Sequence, residues 1–165
     1  MAGDPDLNLA RLPQAAGPRN AHLVIAGCSR RKLDTSHPVA ALDLYQGGCI
    51  PWLRSRLASA PHLRARARIR ILSAQYGLLN ADRPVLPYDR PLDPQRAAEM
   101  LPLTTDALAR EWAVDGAPRE ILVIAEPLYL VPLAAILATP AIVHWVPDPH
   151  DTGTAERVLR RWGWS

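Results

Sequence analysis

The sequence contains no phenylalanine, only two cysteines and only one lysine. Two cysteines, Cys28 and Cys49, are too few for a disulfide framework or a zinc site, so a reduced cytoplasmic setting is expected. No stretch approaches about 18 uncharged apolar residues, which excludes a membrane-spanning helix. Residues 1–20 carry Asp4 and Asp6 and no apolar segment, and we therefore expect no signal peptide.

The length and composition are those of one globular domain. A chain of 165 residues can enclose a single buried core but is too short for two ordinary domains. Apolar residues make up 48% and charged residues 21%, which is typical of a folded chain. The 19 basic residues are all arginine except Lys32, so the lone lysine stands out. A net charge of +3 permits an anionic partner without requiring one.

Four short apolar runs predict the strands of a sheet. They lie at residues 21–26, 69–72, 121–125 and 141–146. The first three show no polar alternation, which is typical of parallel strands covered on both faces. Residues 1–20, rich in Pro, Gly, Asn and Ala, predict a mobile N-terminal arm ahead of a domain at residues 21–165.

Helical patterns separate these runs. They lie at residues 39–44, 50–60, 94–110, 127–138 and 154–162. Pro102 is expected to kink or split the third, and Thr152 or Thr154 to cap the last. The alternation of strands and helices predicts an α/β fold, a single three-layer domain with a mostly parallel central sheet of four or five strands.

The polar residues that follow the strands are the candidates for a site, because ligands of open α/β sheets bind at the carboxyl ends of the strands. The first strand leads into Gly27-Cys28-Ser29-Arg30-Arg31-Lys32. Its glycine, the Ser29 hydroxyl and the charge of Arg31 or Lys32 fit an anion-binding loop. A solvated basic turn is the alternative. Cys28 is either a small packing residue or a nucleophile.

The second strand leads into a polar cluster from Ser73 to Gly77. Gly77 is expected to adopt a positive φ, and Tyr76 either stacks on a ring or covers the edge of the core. Farther on, three prolines within residues 84–91 predict an extended loop that holds Tyr88 and Asp89 at low entropic cost. A plain linker is the alternative for this loop.

Glu126 follows the third apolar strand directly. A carboxylate there is either a buried partner of an arginine or a catalytic group with a raised pKa. The histidines show no spacing typical of metal ligands, so the sequence predicts no metal site, and it predicts no cofactor. Asp151 is a possible cap of the final helix.

Four motifs in this order resemble a family of small prokaryotic proteins described as YaaA-like or peroxide-stress-like. They are Gly27-Cys28-Ser29-Arg30-Arg31-Lys32, Leu44-Tyr45-Gln46-Gly47, Ile71-Leu72-Ser73-Ala74-Gln75-Tyr76-Gly77-Leu78-Leu79 and Pro87-Tyr88-Asp89. The resemblance covers about residues 22–93. The resemblance implies an α/β domain. It also accounts for a lysine at position 32 in a chain whose other basic residues are all arginine. The layout is more distantly similar to the uracil-DNA glycosylase-like superfamily.

Our first functional hypothesis is an enzyme that acts on a nucleotide, nucleoside or modified base and cleaves or exchanges its N-glycosidic bond. Lys32 and Ser29 would hold a phosphate, and Tyr76 or Tyr88 would stack on the base. Asp89 or Glu126 would activate water or attack the anomeric carbon. The full predicted set of substrate-binding residues is Cys28, Ser29, Arg31, Lys32, Tyr45, Ser73, Tyr76, Gly77 and Tyr88. The sequence does not predict an oligomeric state.

The alternative hypothesis is a DNA-binding protein without chemistry, the role that the YaaA resemblance implies. A phosphate-contacting surface would be formed by Arg54, Arg56, Arg64, Arg66, Arg68 and Arg70. The last four alternate with apolar residues and would share one face of an extended segment. A solubilising face is the other interpretation. The tail Trp162-Gly163-Trp164 is either a docking surface or a cover for the core.

Overall fold

The computed structural model describes residues 20–59 and 63–164. The predicted N-terminal arm, apart from Asn20, lies outside the described residues. The strands are β1 (His22–Gly27), β2 (Val39–Ala40), β3 (Ile69–Ser73), β4 (Gly77–Asn80), β5 (Pro84–Val85), β6 (Glu120–Ile124) and β7 (Ile142–Val146). The helices are α1 (Ala41–Leu44), α2 (Ile50–Ser59), α3 (Leu63–Arg66), α4 (Pro94–Asp115), α5 (Ala134–Leu137) and α6 (Thr152–Arg161), with a 3-10 helix at Pro127–Leu130.

A five-stranded sheet forms the centre of the molecule, in the order β4-β3-β1-β6-β7. The pairs β1–β3, β1–β6 and β6–β7 are parallel, and β4 is antiparallel to β3. All four predicted strands are confirmed. The first three are buried by layers on both sides of the sheet, whereas the edge strand β7 leaves Ile142 and Trp145 exposed. The mostly parallel α/β fold is thus confirmed.

Two separate cores cover the two faces of this sheet. One contains Tyr45 of the segment after α1, Ile50 and Leu53 of α2, and Leu159 of α6. The other contains Trp112 of α4 and Ile136 of α5. Side chains of β1 alternate between the two cores, with Val24 in the first and Ile25 in the second. The domain therefore has three layers.

The strand order fixes where a ligand can bind. From β1 the chain moves to β3 on one side, and it then returns to β6 on the other side of β1. The crossovers therefore diverge between β1 and β6, and we use the word crevice for the region outside the carboxyl ends of these two strands, where open α/β sheets bind ligands.

The short strand β4 was not predicted. The sequence predicts a polar cluster from Ser73 to Gly77 without a following strand, yet Gly77–Asn80 turns back and pairs with β3, with Ser73 opposite Gly77. Gly77 adopts a φ of +78°, as predicted. A four-residue strand is too short to show the alternation by which strands are recognised.

The helices of the second core differ from the prediction. Pro102 does not split its helix, since α4 is continuous from Pro94–Asp115. Pro102 is exposed, and the Thr105 hydroxyl donates to the Leu101 carbonyl at 2.7 Å. The predicted helix at residues 127–138 is instead the 3-10 helix and the single turn α5, separated by a segment that contains Pro132, which lacks an N–H donor.

The C-terminal helix is capped by Asp151, not by Thr152 or Thr154. The Asp151 carboxylate accepts from the Thr154 backbone N–H at 3.2 Å and from its hydroxyl at 2.7 Å. These two bonds lower the pKa of Asp151. Beyond the helix, Trp162 and Trp164 pack against the first core, so the tail covers the core. None of the helices in the described ranges is long and apolar enough to cross a membrane.

The arginine-rich segment does not form the extended basic face that the DNA-binding alternative required. Arg66 lies in α3 and pairs with Asp82. Arg68 and Arg70 are buried, and they pair with Asp115 and Glu111. The side chain of Arg64 lies outside the described part of the structure. Arg56 pairs with Glu156, and Arg54 donates to the Leu42 and Tyr45 carbonyls.

The Arg70–Glu111 pair joins the sheet to α4. Its Arg70 side chain is 6% exposed and that of Glu111 is 16% exposed, so removing one partner leaves an uncompensated buried charge. We predict that Glu111→Ala lowers the free energy of unfolding by about 3 kcal/mol, measured by urea denaturation. The double variant Arg70→Met/Glu111→Leu replaces both charges and should lose less than about 1 kcal/mol. Equal losses in the two variants would contradict this account.

Candidate functional site

The crevice between β1 and β6 is closed at its base by Cys28 and Tyr129. The Cys28 sulfur lies 3.2 Å from the Tyr129 hydroxyl, which donates to the Cys28 carbonyl at 3.2 Å. Gly27 permits this approach, because a Cβ there would lie 3.2 Å from the Ala125 Cβ and 3.4 Å from the Tyr129 ring. Burial, with Cys28 alongside, raises the pKa of Tyr129. A polar pair thus lies at the point where the topology predicts a ligand.

Beside this pair, Ser73 organises the end of β3. Its side chain is fully buried, and its oxygen accepts the backbone N–H groups of Gln75 at 3.2 Å and Tyr76 at 3.0 Å. Its single proton goes to the Tyr88 hydroxyl at 2.8 Å. With two bonds accepted and one donated, the bonding capacity of the hydroxyl is filled. Ser73 therefore fixes both the turn after β3 and the position of Tyr88.

The chain of hydrogen bonds continues from the Tyr88 hydroxyl to the Tyr45 hydroxyl. The two phenol oxygens lie 3.0 Å apart. Because Tyr88 already accepts from Ser73, its own proton is best placed to be donated to Tyr45. The chain of donors then ends on the Tyr45 hydroxyl, and because the Tyr45 side chain is fully buried, its role is to hold Tyr88 in position. Burial raises the pKa of Tyr45 to about 12 and also raises that of Tyr88, so both are neutral donors at physiological pH.

Lys32 lies across this tyrosine pair. Its ammonium nitrogen is 4.2 Å from the centroid of the Tyr88 ring and 5.9 Å from that of Tyr45, which is a cation–π arrangement. An isolated β-bridge between Lys32 and Tyr45 holds the two backbones together. Burial lowers the pKa of Lys32, while Cys28 and Asp89 act in the opposite direction. The one lysine of the chain is therefore a positioned charge at the crevice.

The loop that carries Lys32 is shaped by Ser29. The Ser29 hydroxyl donates to the Arg31 carbonyl at 2.7 Å and accepts from the Gly47 N–H at 3.1 Å. A Cβ at Gly47 would lie 3.1 Å from the Ser29 Cβ, so the glycine lets the two segments touch. The hydroxyl proton of Ser29 is thus engaged within the loop, while Arg31 is exposed to solvent.

Tyr76 and Asp89 line the outer part of the site. The Tyr76 side chain is 41% exposed, and its hydroxyl donates to the Leu86 carbonyl at 3.0 Å. Its ring meets Tyr88 edge-on, with centroids 5.3 Å apart. Asp89 is exposed and lies close enough to Lys32 to influence the pKa of the lysine. The outer part of the site therefore holds the Tyr76 ring, from the turn after β3, and the Asp89 carboxylate, from the proline-rich loop.

Glu126 is exposed and lies near Tyr129, whose pKa it helps to raise. Of the two interpretations given above, a buried partner of an arginine is wrong, because the side chain is on the surface and no ion pair of Glu126 occurs within the described ranges. Glu126 thus lies at the β6 side of the crevice, and Asp89 at the side of Lys32.

Two residues of the site were not assigned by sequence reasoning. Tyr129 lies three residues after Glu126. Its position shortly after a buried strand is the sequence feature that could have identified it as a residue of the site. Arg96 of α4 donates to the Ala74 carbonyl at 2.8 Å and to that of Gln75 at 3.2 Å, and so holds the turn after β3 from outside. No sequence pattern links Arg96 to that turn, because the contact spans more than 20 positions and depends on the helix packing.

The described ranges contain no group of three or more His, Cys, Asp or Glu residues that could hold a metal ion. The two cysteines are both free.

Comparison with protein-family models gives a match over most of the chain. Residues 23–148 match the model of a family described as a family of unknown function, DUF6884. No curated protein and no solved structure matches the chain. The matched range extends from β1 to the end of β7 and contains every residue of the crevice described above.

The buried phenols predict a loss of stability at high pH. The folded chain keeps Tyr45, Tyr88 and Tyr129 protonated, whereas the unfolded chain ionises them near pH 10. The folded-state pKa values are raised, so these phenols make the free energy of unfolding fall as the pH rises above about 10. Buried Cys49, whose pKa is raised to about 12, adds a loss that begins near pH 9, the pKa of the unfolded thiol. Phenolate absorbance should show these three tyrosines ionising only as the chain unfolds. Their ionisation in the still-folded protein would contradict the buried network, and exposed Tyr76→Phe is the control.

Proposed function

The chain belongs to the DUF6884 family, and from the side chains of its crevice we propose that it is an enzyme acting on a nucleotide, nucleoside or modified base. One observation carries the proposal: a lone lysine lies over a tyrosine ring, at the carboxyl edge of a doubly wound sheet, with the Asp89 carboxylate near it. A phosphate requires a positioned cation, and a base requires an aromatic surface.

The proposed binding mode assigns a role to each part of the crevice. Lys32, with Arg31 at the rim, pairs with the anionic group of the ligand. The exposed ring of Tyr76 stacks on the base. Tyr45 is fully buried, and it supports this arrangement from behind through its hydrogen bond to Tyr88 and its β-bridge to Lys32.

The proposed reaction is cleavage or exchange of the N-glycosidic bond. Asp89 or Glu126 takes a proton from water as the water oxygen attacks the anomeric carbon, or the carboxylate attacks that carbon itself. The bond from carbon to the base nitrogen breaks, and its electron pair leaves with the base. Positive charge develops on the sugar, and a nearby carboxylate stabilises it. Asp89 is closer to Lys32, and Glu126 is closer to Tyr129.

The similarity to YaaA-like proteins and, more distantly, to the uracil-DNA glycosylase-like superfamily is part of the proposal. Its support is spatial: residues from all four motifs, Cys28, Tyr45, Ser73 and Tyr88 among them, lie at this one crevice. We favour the enzyme over the non-catalytic DNA-binding alternative, because three of the arginines on which that alternative rested, Arg66, Arg68 and Arg70, are paired with carboxylates.

A thermal-shift screen against nucleoside monophosphates, nucleosides and free bases tests the binding mode. A ligand at about 100 times its dissociation constant adds about 2.7 kcal/mol, which raises the Tm of a domain of this size by about 5 to 10 °C. We expect at least one monophosphate to give this shift, Lys32→Ala to abolish it and Lys32→Arg to restore part of it. Arg83→Ala, which removes an exposed charge elsewhere, is the matched control.

Release of free base from the ligand found in that screen tests the reaction. Asp89→Asn and Glu126→Gln keep the size of the side chain and remove its charge. We expect one of them to lower turnover by at least about 100-fold, the loss typical of a missing general base, while the thermal shift is retained. No base release by the unmodified protein, or full turnover in both variants, would refute the reaction while leaving the binding site intact.

A further inference from the structure

The turn that follows β3 is held from two opposite sides. It contains two peptide groups, of which one joins Ala74 to Gln75 and the other joins Gln75 to Tyr76. Their N–H groups donate to the Ser73 hydroxyl at 3.2 Å and 3.0 Å. Their carbonyl groups accept from Arg96 of α4, from Nε at 2.8 Å and from Nη2 at 3.2 Å. Each peptide group thus lies between the Ser73 oxygen and the Arg96 guanidinium group.

Arg96 is fixed in the position from which it reaches the turn. It lies in the first turn of α4, where its backbone N–H donates to the Asp93 carboxylate at 2.7 Å. Its side chain is 14% exposed, and Nη1 lies 3.5 Å from the Glu99 carboxylate. All three guanidinium nitrogens therefore have a partner, and two of these partners are carbonyl groups of the turn. Such a rigid, divided set of donors is a property of arginine that lysine lacks.

The guanidinium charge strengthens the hydrogen bonds that the turn makes on its other side. A charge-assisted bond at the carbonyl end of a peptide group polarises that group, so its N–H becomes a stronger donor. Both N–H groups meet on one oxygen, that of Ser73, whose own O–H donates to Tyr88 at 2.8 Å. Because this oxygen loses electron density to the two N–H groups, the Ser73 O–H is in turn a stronger donor. The effect of the Arg96 charge is therefore transmitted through two peptide groups to the Tyr88 hydroxyl.

We propose that Arg96 is a positioning residue of the crevice, which holds Tyr76 and Tyr88 in place through these two peptide groups. Tyr76 directly follows the second peptide group, and its ring meets the Tyr88 ring edge-on with centroids 5.3 Å apart. The ammonium nitrogen of Lys32 lies 4.2 Å from the centroid of the Tyr88 ring. The ring assigned to the base and the ring that carries the lysine thus depend on the same guanidinium group.

The position of Arg96 also links the two cores of the domain. Helix α4 packs into the second core through Met100 and Trp112, whereas Tyr88 packs against the first core. Arg96 joins these layers at the carboxyl edge of β3, so a displacement of the first turn of α4 reaches the crevice through Ser73. The consequence for a ligand rests on the proposed function, whereas the consequence for the turn and the tyrosine rings does not.

Amide hydrogen exchange measured by NMR tests this role in the protein without a ligand. We expect Arg96→Ala to accelerate exchange of the Gln75 and Tyr76 amides at least about tenfold, because the turn loses its charged partner. The Val24 amide, which lies within the sheet, reports opening of the whole domain and should accelerate less. Arg96→Lys keeps the charge and should restore part of the protection. Glu99→Gln removes the ion pair of Arg96 but leaves both carbonyl contacts, so it should change the two rates by less than about twofold.

The contact between the Tyr76 and Tyr88 rings is the second readout. The chain has four tyrosines and no phenylalanine, so a nuclear Overhauser effect between these two rings is readily assigned. We expect the effect to be present in the unmodified protein and in Glu99→Gln, to be lost in Arg96→Ala and to return in part in Arg96→Lys. A role of Arg96 in anchoring the helix alone would leave the contact between the rings intact.

Calorimetric titration with adenosine, guanosine, cytidine and uridine monophosphates adds the measurement that rests on the proposed function. For a monophosphate that binds the unmodified protein, we expect Arg96→Ala to weaken binding at least about tenfold. Arg110→Ala, which removes an exposed arginine of the same helix, should leave the affinity unchanged. If none of the four binds the unmodified protein, the proposed binding mode is wrong, and the exchange rates and the ring contact alone decide the role of Arg96.

The proposal is overturned if the turn amides accelerate no more than the Val24 amide, or if Glu99→Gln has the same effect as Arg96→Ala. It is also overturned if the contact between the two tyrosine rings survives in Arg96→Ala. Should Arg96→Ala fail to fold, as judged by circular dichroism, Arg96→Gln takes its place in all three measurements, with the same expected direction of change.

Discussion

The hydroxyl of Ser73 connects the segments from which the crevice is built. It closes the turn after β3 by accepting two backbone N–H groups, and it passes its own proton to Tyr88. Tyr88 contacts Tyr45 through its hydroxyl and Lys32 through its ring. The loop after β1, the segment after α1 and the proline-rich loop therefore depend on one buried oxygen atom. An unsatisfied buried hydroxyl costs about 1 to 3 kcal/mol, which favours this single arrangement.

The sheet was predictable from the sequence because its signal is local. Each buried parallel strand is a short β-branched run, and the four runs were found within two residues of their ends in the structure. The failures occurred where packing overrides local preference. Pro102 remains within a continuous helix, since the buried side chains of α4, such as Met100 and Trp112, hold it against the sheet. The segment after β6 fails for a different, local reason: it was predicted as one helix, although Pro132 lies between its two short turns.

The site was predictable only in part. The topology rule located the edge of the sheet at which the site lies, but not the side-chain contacts within the site. The rule that ligands lie at the carboxyl ends of strands led to Cys28, Lys32 and Ser73. It could not indicate that the Ser29 proton is engaged within its own loop, or that Tyr129 meets Cys28 across 101 positions of the chain. The alternating arginines were misjudged for a similar reason. Arg70 pairs with Glu111, 41 positions away, and no periodicity reveals that partner.

The central claim is that the one lysine of the chain is held over Tyr88 as the charge that meets a nucleotide. Protein labelled with ¹³C at the lysine ε-carbon gives a single side-chain resonance, that of Lys32. The account predicts a proton shift well upfield of free lysine, caused by the ring current of Tyr88. It also predicts that the resonance moves when a nucleoside monophosphate is added and approaches the free-lysine position in Ser73→Ala. A resonance at the free-lysine position that is unchanged by every monophosphate would contradict the claim.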